Sequence, residues 1–218
     1  MKCAVVTGAS RGVGLAVTRA LCDAGYTVYA QYNQTPPQLD HEHLHWFQLD
    51  ATKPLDTQCL PALSSVDALV LCAGVAELGS THTQSREVFQ WHMDVNFFSP
   101  VELSQALLPA LIAAQGHVVY VNSGAGLHSY PQWAAYSASK HAARAWCEAL
   151  RAETPEIRVT SVYPGRIATD MQRAIRAQEA GEYTPKEYLS TDTVAHTILH
   201  VLATPADAQL PDISIRPR

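Results

Sequence analysis

Short apolar runs rich in β-branched residues alternate along this chain with longer stretches whose apolar positions recur at helical spacing. Residues 2 to 7 form the first such run and read as a buried strand. Thr27–Gln31, Trp46–Leu49, Val66–Leu71, His117–Val121 and Ile157–Val162 read the same way. Pro211–Ile215 suits a closing edge strand, because its proline is confined to the first position. Helical periodicity covers Leu15–Ala24, residues 84 to about 115, Trp133 to about Arg151 and Thr191–Ala203. Gly25 closes the first of these helices, and Thr191 or Asp192 stands at the N-cap of the last. Pro100 predicts an interruption of the second near Asn96–Ser99, where a break releases a backbone carbonyl. The regular alternation predicts one α/β domain over residues 1–218. Its expected architecture is a doubly wound parallel sheet with helices on both faces and right-handed crossovers.

Composition narrows the function classes. A chain of 218 residues with 47% apolar content suits one domain with a substantial core. A net charge of -5 and a pI near 6.0 argue against a nucleic-acid surface. No unbroken run of about 18 apolar residues occurs, so no membrane span is expected. The apolar start, Met1–Thr7, is too short for a signal peptide and passes straight into a glycine turn. Cysteines at 3, 22, 59, 72 and 147 contain no CxxC pair, which points to reduced thiols and a cytoplasmic protein.

The glycine turn is the first chemical signal. Thr7-Gly8-Ala9-Ser10-Arg11-Gly12-Val13-Gly14 joins the first strand to the first helix. Such a junction presents backbone N–H groups and a positive helix end to a pyrophosphate, and glycine permits the close approach. At the end of the second strand an acidic residue would bind the ribose hydroxyls of NAD. Gln31, Tyr32 and Asn33 are uncharged there, and Arg11 is placed to meet a 2′-phosphate, so NADP(H) is expected over NAD(H). Asp50, after the third strand, suits the adenine edge with its neighbour Ala51. Ala73 and Gly74, after the fourth, suit a backbone running beside the cofactor.

The second signal lies downstream. On a helix, residues four apart differ in direction by about 40° and in height by about 6 Å, so Tyr136 and Lys140 project as neighbours. A phenol ordinarily titrates near pH 10, and a nearby ammonium is expected to lower that value. Ser123 ends the fifth strand, where open α/β sheets place their ligands. His41, His43 and His45 form an alternating cluster with no Cys or carboxylate partner motif, so no metal site is expected; His196 and His200 read as surface or packing residues.

Together these residues resemble the short-chain dehydrogenases/reductases over nearly the whole chain. The matches are Thr7-Gly-Ala-Ser-Arg-Gly-Val-Gly14, Asp50, Cys72-Ala-Gly74, Asn96, Ser123, Tyr136-x-x-x-Lys140 and Pro164-Gly165-Arg-Ile-Ala-Thr169. The resemblance implies a Rossmann-type domain with Tyr136 as the acid/base and Ser123 hydrogen-bonding the same substrate oxygen. Lys140 would bind the nicotinamide ribose and lower the Tyr136 pKa. Asn96 would hold a water linking Lys140 to solvent. Thr169 and the backbone near Ile167 would anchor the carboxamide, with Pro164 and Gly165 also at the cofactor. The family often has Asn-Asn-Ala-Gly where this chain has Leu71-Cys72-Ala73-Gly74. The chain is also short after Thr169, leaving residues 170–190 as the only candidate lid, with Gly181 as its hinge.

The implied function is hydride transfer between NADP(H) and a small carbonyl or alcohol substrate. Val75, Leu127, His128, Trp133, Tyr163, Arg166 and the 170–190 lid are candidates for the substrate wall. A homodimer or homotetramer is expected, through the small residues of the Tyr136 helix and Leu103, Leu107 and Leu111. Two other readings were weighed. A nucleotide-sugar epimerase or dehydratase is disfavoured by the glycine spacing and the lack of a sizeable C-terminal substrate domain. A silent NADP-binding sensor is disfavoured because Asn96, Ser123, Tyr136 and Lys140 are all present.

Overall fold

Strands whose side chains alternate between two covered faces need apolar residues at every position, and the short runs supply them. The computed structural model describes residues 1–218. It places seven strands in one parallel sheet: β1 (Cys3–Thr7), β2 (Thr27–Tyr32), β3 (Leu44–Gln48), β4 (Ala68–Leu71), β5 (His117–Val121), β6 (Arg158–Pro164) and β7 (Asp212–Ile215). Their order is β3-β2-β1-β4-β5-β6-β7. The direction of winding therefore reverses between β1 and β4, and the crevice beyond the carboxyl ends of those strands is where such folds hold ligands.

The alternation sorts the core into two layers. Ala4, Val6, Val28, Ala30, Val70 and Val119 meet α1 (Gly12–Asp23) and α6 (Thr191–Leu202) on one face. Val5, Leu69, Leu71, Val118 and Val159 meet α3 (Ser99–Ala114) and α4 (Ala134–Glu153) on the other. The expected doubly wound sheet is therefore present. β3 begins two residues before the predicted start, because Leu44 and Trp46 pair with Val28 and Ala30 and pack on the first layer. The N-cap of α6 is Ser190 rather than Thr191 or Asp192; its hydroxyl accepts from the Thr193 N–H at 3.0 Å.

The interruption predicted from Pro100 takes the form of a widened turn, not a helix end. α2 (Arg86–Met93) runs through a π turn at Asp94–Phe98 directly into α3. This continuous helix, Arg86–Ala114, has a mean hydropathy of 1.4 over its apolar stretch, and by length and composition it is long and apolar enough to cross a membrane. The segment contains no unbroken apolar run, because isolated polar residues interrupt it while the mean stays high. In the fold Leu103, Leu107 and Leu111 are buried against the sheet.

Residues 170–190 hold α5 (Asp170–Gln178) and a short turn at Pro185–Glu187. Gly181 is not in the left-handed region; Ala180 is, at φ 52°. A Cβ on Gly181 would collide with the Arg176 guanidinium, so this glycine makes room for an arginine. The alternate histidines do not share a strand face. His45 stacks on Tyr29 at 5.0 Å, and the His41 and His43 rings lie 5.6 Å apart in the preceding loop.

Candidate active site

The glycine turn is shaped by contacts that forbid side chains. Gly8 and Gly12 have φ of +61° and +57°. A Cβ on Gly8 would lie 2.8 Å from the Ala73 Cα, and one on Gly14 would collide with the Gly8 carbonyl. Thr7 Oγ1 accepts from the N–H groups of Cys72 and Ala73 at 3.1 Å each, fastening the β4 turn to the glycine turn. Gln31 is buried and committed: its Oε1 accepts from the Gly8 N–H at 2.7 Å and its Nε2 donates to the Leu49 carbonyl at 2.6 Å. Arg11 caps α1 in an extended conformation, is exposed, and forms no ion pair.

These elements border a cleft of about 790 Å³. Gly8, Ser10, Arg11, Gly12, Val13, Gly14, Gln31, Asn33, Ala51, Ala73 and Gly74 line one end. Ser123, Tyr136 and Lys140 line it further along, and Pro164, Gly165, Ile167 and Thr169 lie on the β6 side. Asp50 is not brought to the wall. Its carboxylate accepts from the Thr52 N–H at 3.0 Å and hydroxyl at 2.7 Å and faces Lys53 at 3.5 Å, which holds it below the usual carboxylate range; Thr52 lines the cleft instead.

Asn122 ties Ser123 to the backbone of Lys140. The Ser123 N–H donates to Asn122 Oδ1 at 2.8 Å, and Asn122 Nδ2 donates to the Lys140 carbonyl at 3.1 Å. Tyr136 is 8% exposed, with Trp133 and His92 edge-on to its ring at 5.5 and 6.2 Å. His92 is neutral in role: Nε2 accepts from the Glu77 N–H at 3.0 Å, which leaves Nδ1 to donate to the Val88 carbonyl at 2.8 Å, and burial lowers its pKa.

Lys140 is buried, and its Nζ donates to Tyr120 Oη and to the Val121 carbonyl, each at 3.0 Å. It lies 5.9 Å from the Tyr136 ring centroid. The expected depression of the phenol by this ammonium is not what the site shows. Burial raises Tyr136, with the Ser123 hydroxyl the opposing influence, and burial pushes Lys140 down to about 7. Burial of both groups outweighs the attraction between them.

Asn96 also departs from expectation. It is fully buried and off the cleft wall: Nδ2 donates to the Val75 carbonyl and Ser139 Oγ at 3.0 Å each, and Oδ1 accepts from the Val75 N–H at 2.9 Å. Its backbone carbonyl accepts from the Tyr120 hydroxyl at 2.6 Å, and that hydroxyl oxygen accepts from Lys140 Nζ at 3.0 Å, so a phenol joins Lys140 to Asn96.

Of the proposed substrate wall, Val75, Trp133 and Arg166 line the cleft; Leu127 and His128 do not. Tyr163 is turned into the fold, where burial pushes its pKa up to about 12. Arg166 is gripped by both Glu179 oxygens at 2.8 and 2.7 Å. The 170–190 segment contributes Met171, Gln172 and Ile175 to the wall as expected, while Trp91, Tyr130 and Arg216 join it unforeseen. Arg216 lies beyond the last strand, and its Nη1 donates to the Tyr163 carbonyl at 2.6 Å; nothing local in the sequence marks it.

Comparison with known proteins decides the family. A family model described as short chain dehydrogenase matches residues 2–180. A farnesol dehydrogenase of Aedes aegypti is 31% identical over 99% of this chain and 96% of its own. The chain belongs to the short-chain dehydrogenase/reductase family. A glycine betaine reductase of Emericella nidulans is 32% identical over all of this chain, which spans 19% of that protein's length. Among solved structures, an alcohol dehydrogenase of the archaeon Thermococcus sibiricus in complex with 5-hydroxy-NADP superposes with a TM-score of 0.86, at 25% identity, over 100% of this chain and 97% of that one. Membership of the short-chain dehydrogenases makes the protein a nicotinamide-dependent oxidoreductase acting on alcohol or carbonyl groups.

Proposed function

We propose that this short-chain dehydrogenase interconverts a carbonyl and an alcohol with NADP(H), using Tyr136 as the acid/base. The observation that carries the reading is the convergence of Ser123, Tyr136 and Lys140 on one cleft whose other end is the glycine turn. The nicotinamide supplies hydride when bound. In the reducing direction Tyr136 would give its proton to the substrate carbonyl oxygen as that oxygen becomes the alcohol hydroxyl. Ser123 would donate a hydrogen bond to the same oxygen as charge develops there, and Lys140 would hold the ribose hydroxyls. Such positioned acid catalysis typically contributes about 10²–10⁴-fold.

The preference for NADP(H) is supported by charge. Arg11 is an unpaired cation at the turn, Gln31 and Asn33 carry no charge, and Asp50 is occupied by Thr52 and Lys53. A neutral substrate with an aryl or aliphatic body suits the wall of Trp91, Tyr130, Trp133, Met171 and Ile175, because Arg166 is already paired with Glu179. The exposed Phe98 and Ile112 on the long helix suit a homodimer, and five free thiols suit a reducing, cytoplasmic setting.

The test is NADPH oxidation against a panel of neutral aryl and aliphatic aldehydes and ketones, with wild type, Tyr136→Phe and NADH as control. The expected outcome is turnover that prefers NADPH and falls at least about 100-fold in the phenylalanine protein while NADPH binding is kept. Equal turnover by Tyr136→Phe refutes the acid assignment. Tight NADPH binding without turnover across the panel favours a sensor.

A further inference from the structure

The long helix, the central strand and the lysine meet at one phenol. Pro100 has no N–H, so the Asn96 carbonyl four residues earlier lacks its α-helical donor. Asn96 cannot supply one itself, because its side chain is spent on Val75 and Ser139. The Tyr120 hydroxyl fills the place at 2.6 Å. That same oxygen accepts from Lys140 Nζ at 3.0 Å, and the ammonium sits 4.7 Å from the centroid of the Tyr120 ring. Trp146 holds the ring edge-on from α4 at 6.4 Å. A hydroxyl with one proton cannot donate to both neighbours. Since the carbonyl can only accept, the proton direction is fixed, and Tyr120 must present a lone pair to Lys140.

The other groups facing Lys140 are Tyr136 and Cys147 of α4, Cys72 after β4 and His92 of α2. None is a carboxylate. A buried ammonium without a counter-ion depends on its hydrogen-bond acceptors, and here those are one side-chain oxygen and one backbone carbonyl. We propose that Tyr120 is a positioning residue for Lys140: its phenol anchors the ammonium to the helix break at Asn96 and keeps it charged against its burial. The phenol chain ends on a carbonyl, which is not protonated near neutral pH, so it acts as an anchor and not as a proton path. Burial raises the Tyr120 pKa well above its ordinary value, so the phenol stays neutral and keeps this direction of donation throughout the working range.

The inference rests on Lys140 serving Tyr136, but its test needs neither cofactor nor substrate, so the two readings fail separately. The chain has four lysines, Lys2, Lys53, Lys140 and Lys186. With isotope-labelled lysine, the Lys140 resonance is assigned by its loss in Lys140→Met and titrated in wild type and Tyr120→Phe. The expected result is a Lys140 titration at least about tenfold, one pH unit, more acidic in Tyr120→Phe, because a charge-bearing hydrogen bond is lost. An unmoved or more basic Lys140 overturns the proposal and leaves Tyr120 a packing residue. If the phenylalanine protein does not fold, a ring-fluorinated tyrosine at the same position weakens the acceptor while keeping the hydroxyl. It should shift Lys140 in the same direction, and no shift there overturns the proposal equally.

Discussion

Replacing Lys140 by methionine should stabilise this protein at neutral pH while destroying its proposed activity. Lys140 is 3% exposed and titrates at about 7 against an ordinary value of 10.5. The unfolded chain therefore holds the proton more tightly than the folded one. The burial cost is full below the folded value, shrinks as pH rises through the interval, and is gone above 10.5. At full protonation that interval is worth about 5 kcal/mol, and at about pH 7 about 4 kcal/mol remains. Methionine fills similar space with no charge, but the Val121 carbonyl and Tyr120 oxygen lose a donor, which returns about 1–2 kcal/mol. The net gain expected at about pH 7 is therefore about 2–3 kcal/mol. The decisive assay is urea unfolding of both proteins at about pH 7 and about pH 9, where the gap should shrink by about 2 kcal/mol as the wild type sheds the cost. A methionine protein less stable at neutral pH, or a gap that ignores pH, would refute a penalised ammonium. Such a result would mean that the lysine is hydrated or paired in solution.

Two further outcomes follow from particular contacts. His117 is buried and pushed down to about 3, with Nε2 against Thr160 Oγ1, which itself donates to the Leu210 carbonyl. Its folded value lies below the ordinary 6.5, so its contribution is full above 6.5 and is lost as pH falls toward 3. Urea unfolding from about pH 7.5 to about pH 5 should cost wild type about 2 kcal/mol more than it costs His117→Leu. Gly8→Ala places a Cβ 2.8 Å from both the Cα and N of Ala73 at a φ of +61°. It should lower stability by about 1–3 kcal/mol in urea unfolding, and a fluorescence titration should show NADPH affinity reduced at least about tenfold.

What the sequence reveals, and what it hides, divides along a physical line. Periodicity and local chemistry reveal the strands, the glycine turn and the Tyr136–Lys140 pair, because each is decided by neighbours within a few residues. The seven-stranded parallel sheet follows from these, since alternation and the hand of crossovers leave few arrangements. The misses are long-range. Ser190 is a polar residue one position outside the periodic stretch and wins the cap through its bond to Thr193. Asp50 is drawn from the cleft by its own turn. Arg216 reaches the wall from beyond the final strand.

Tyr120 illustrates the limit most clearly. In a run of valines it reads as one more core residue, and its ring is indeed buried in the layer under α3 and α4. Only the tertiary fold brings its hydroxyl to a carbonyl bared by Pro100 and an ammonium twenty residues downstream. The sign of the Tyr136 shift is hidden from the sequence for the same reason. Spacing on a helix places two side chains on one face, but it carries no information on how much water surrounds them or what else the ammonium faces. Here Lys140 faces Tyr120 and Val121, and burial acts on both titrating groups at once. A pair read from sequence as a charge acting on a phenol is thus, in the fold, a network in which a second phenol holds the charge. The chemistry proposed for Tyr136 then depends on a residue that neither touches the substrate nor lines the cleft.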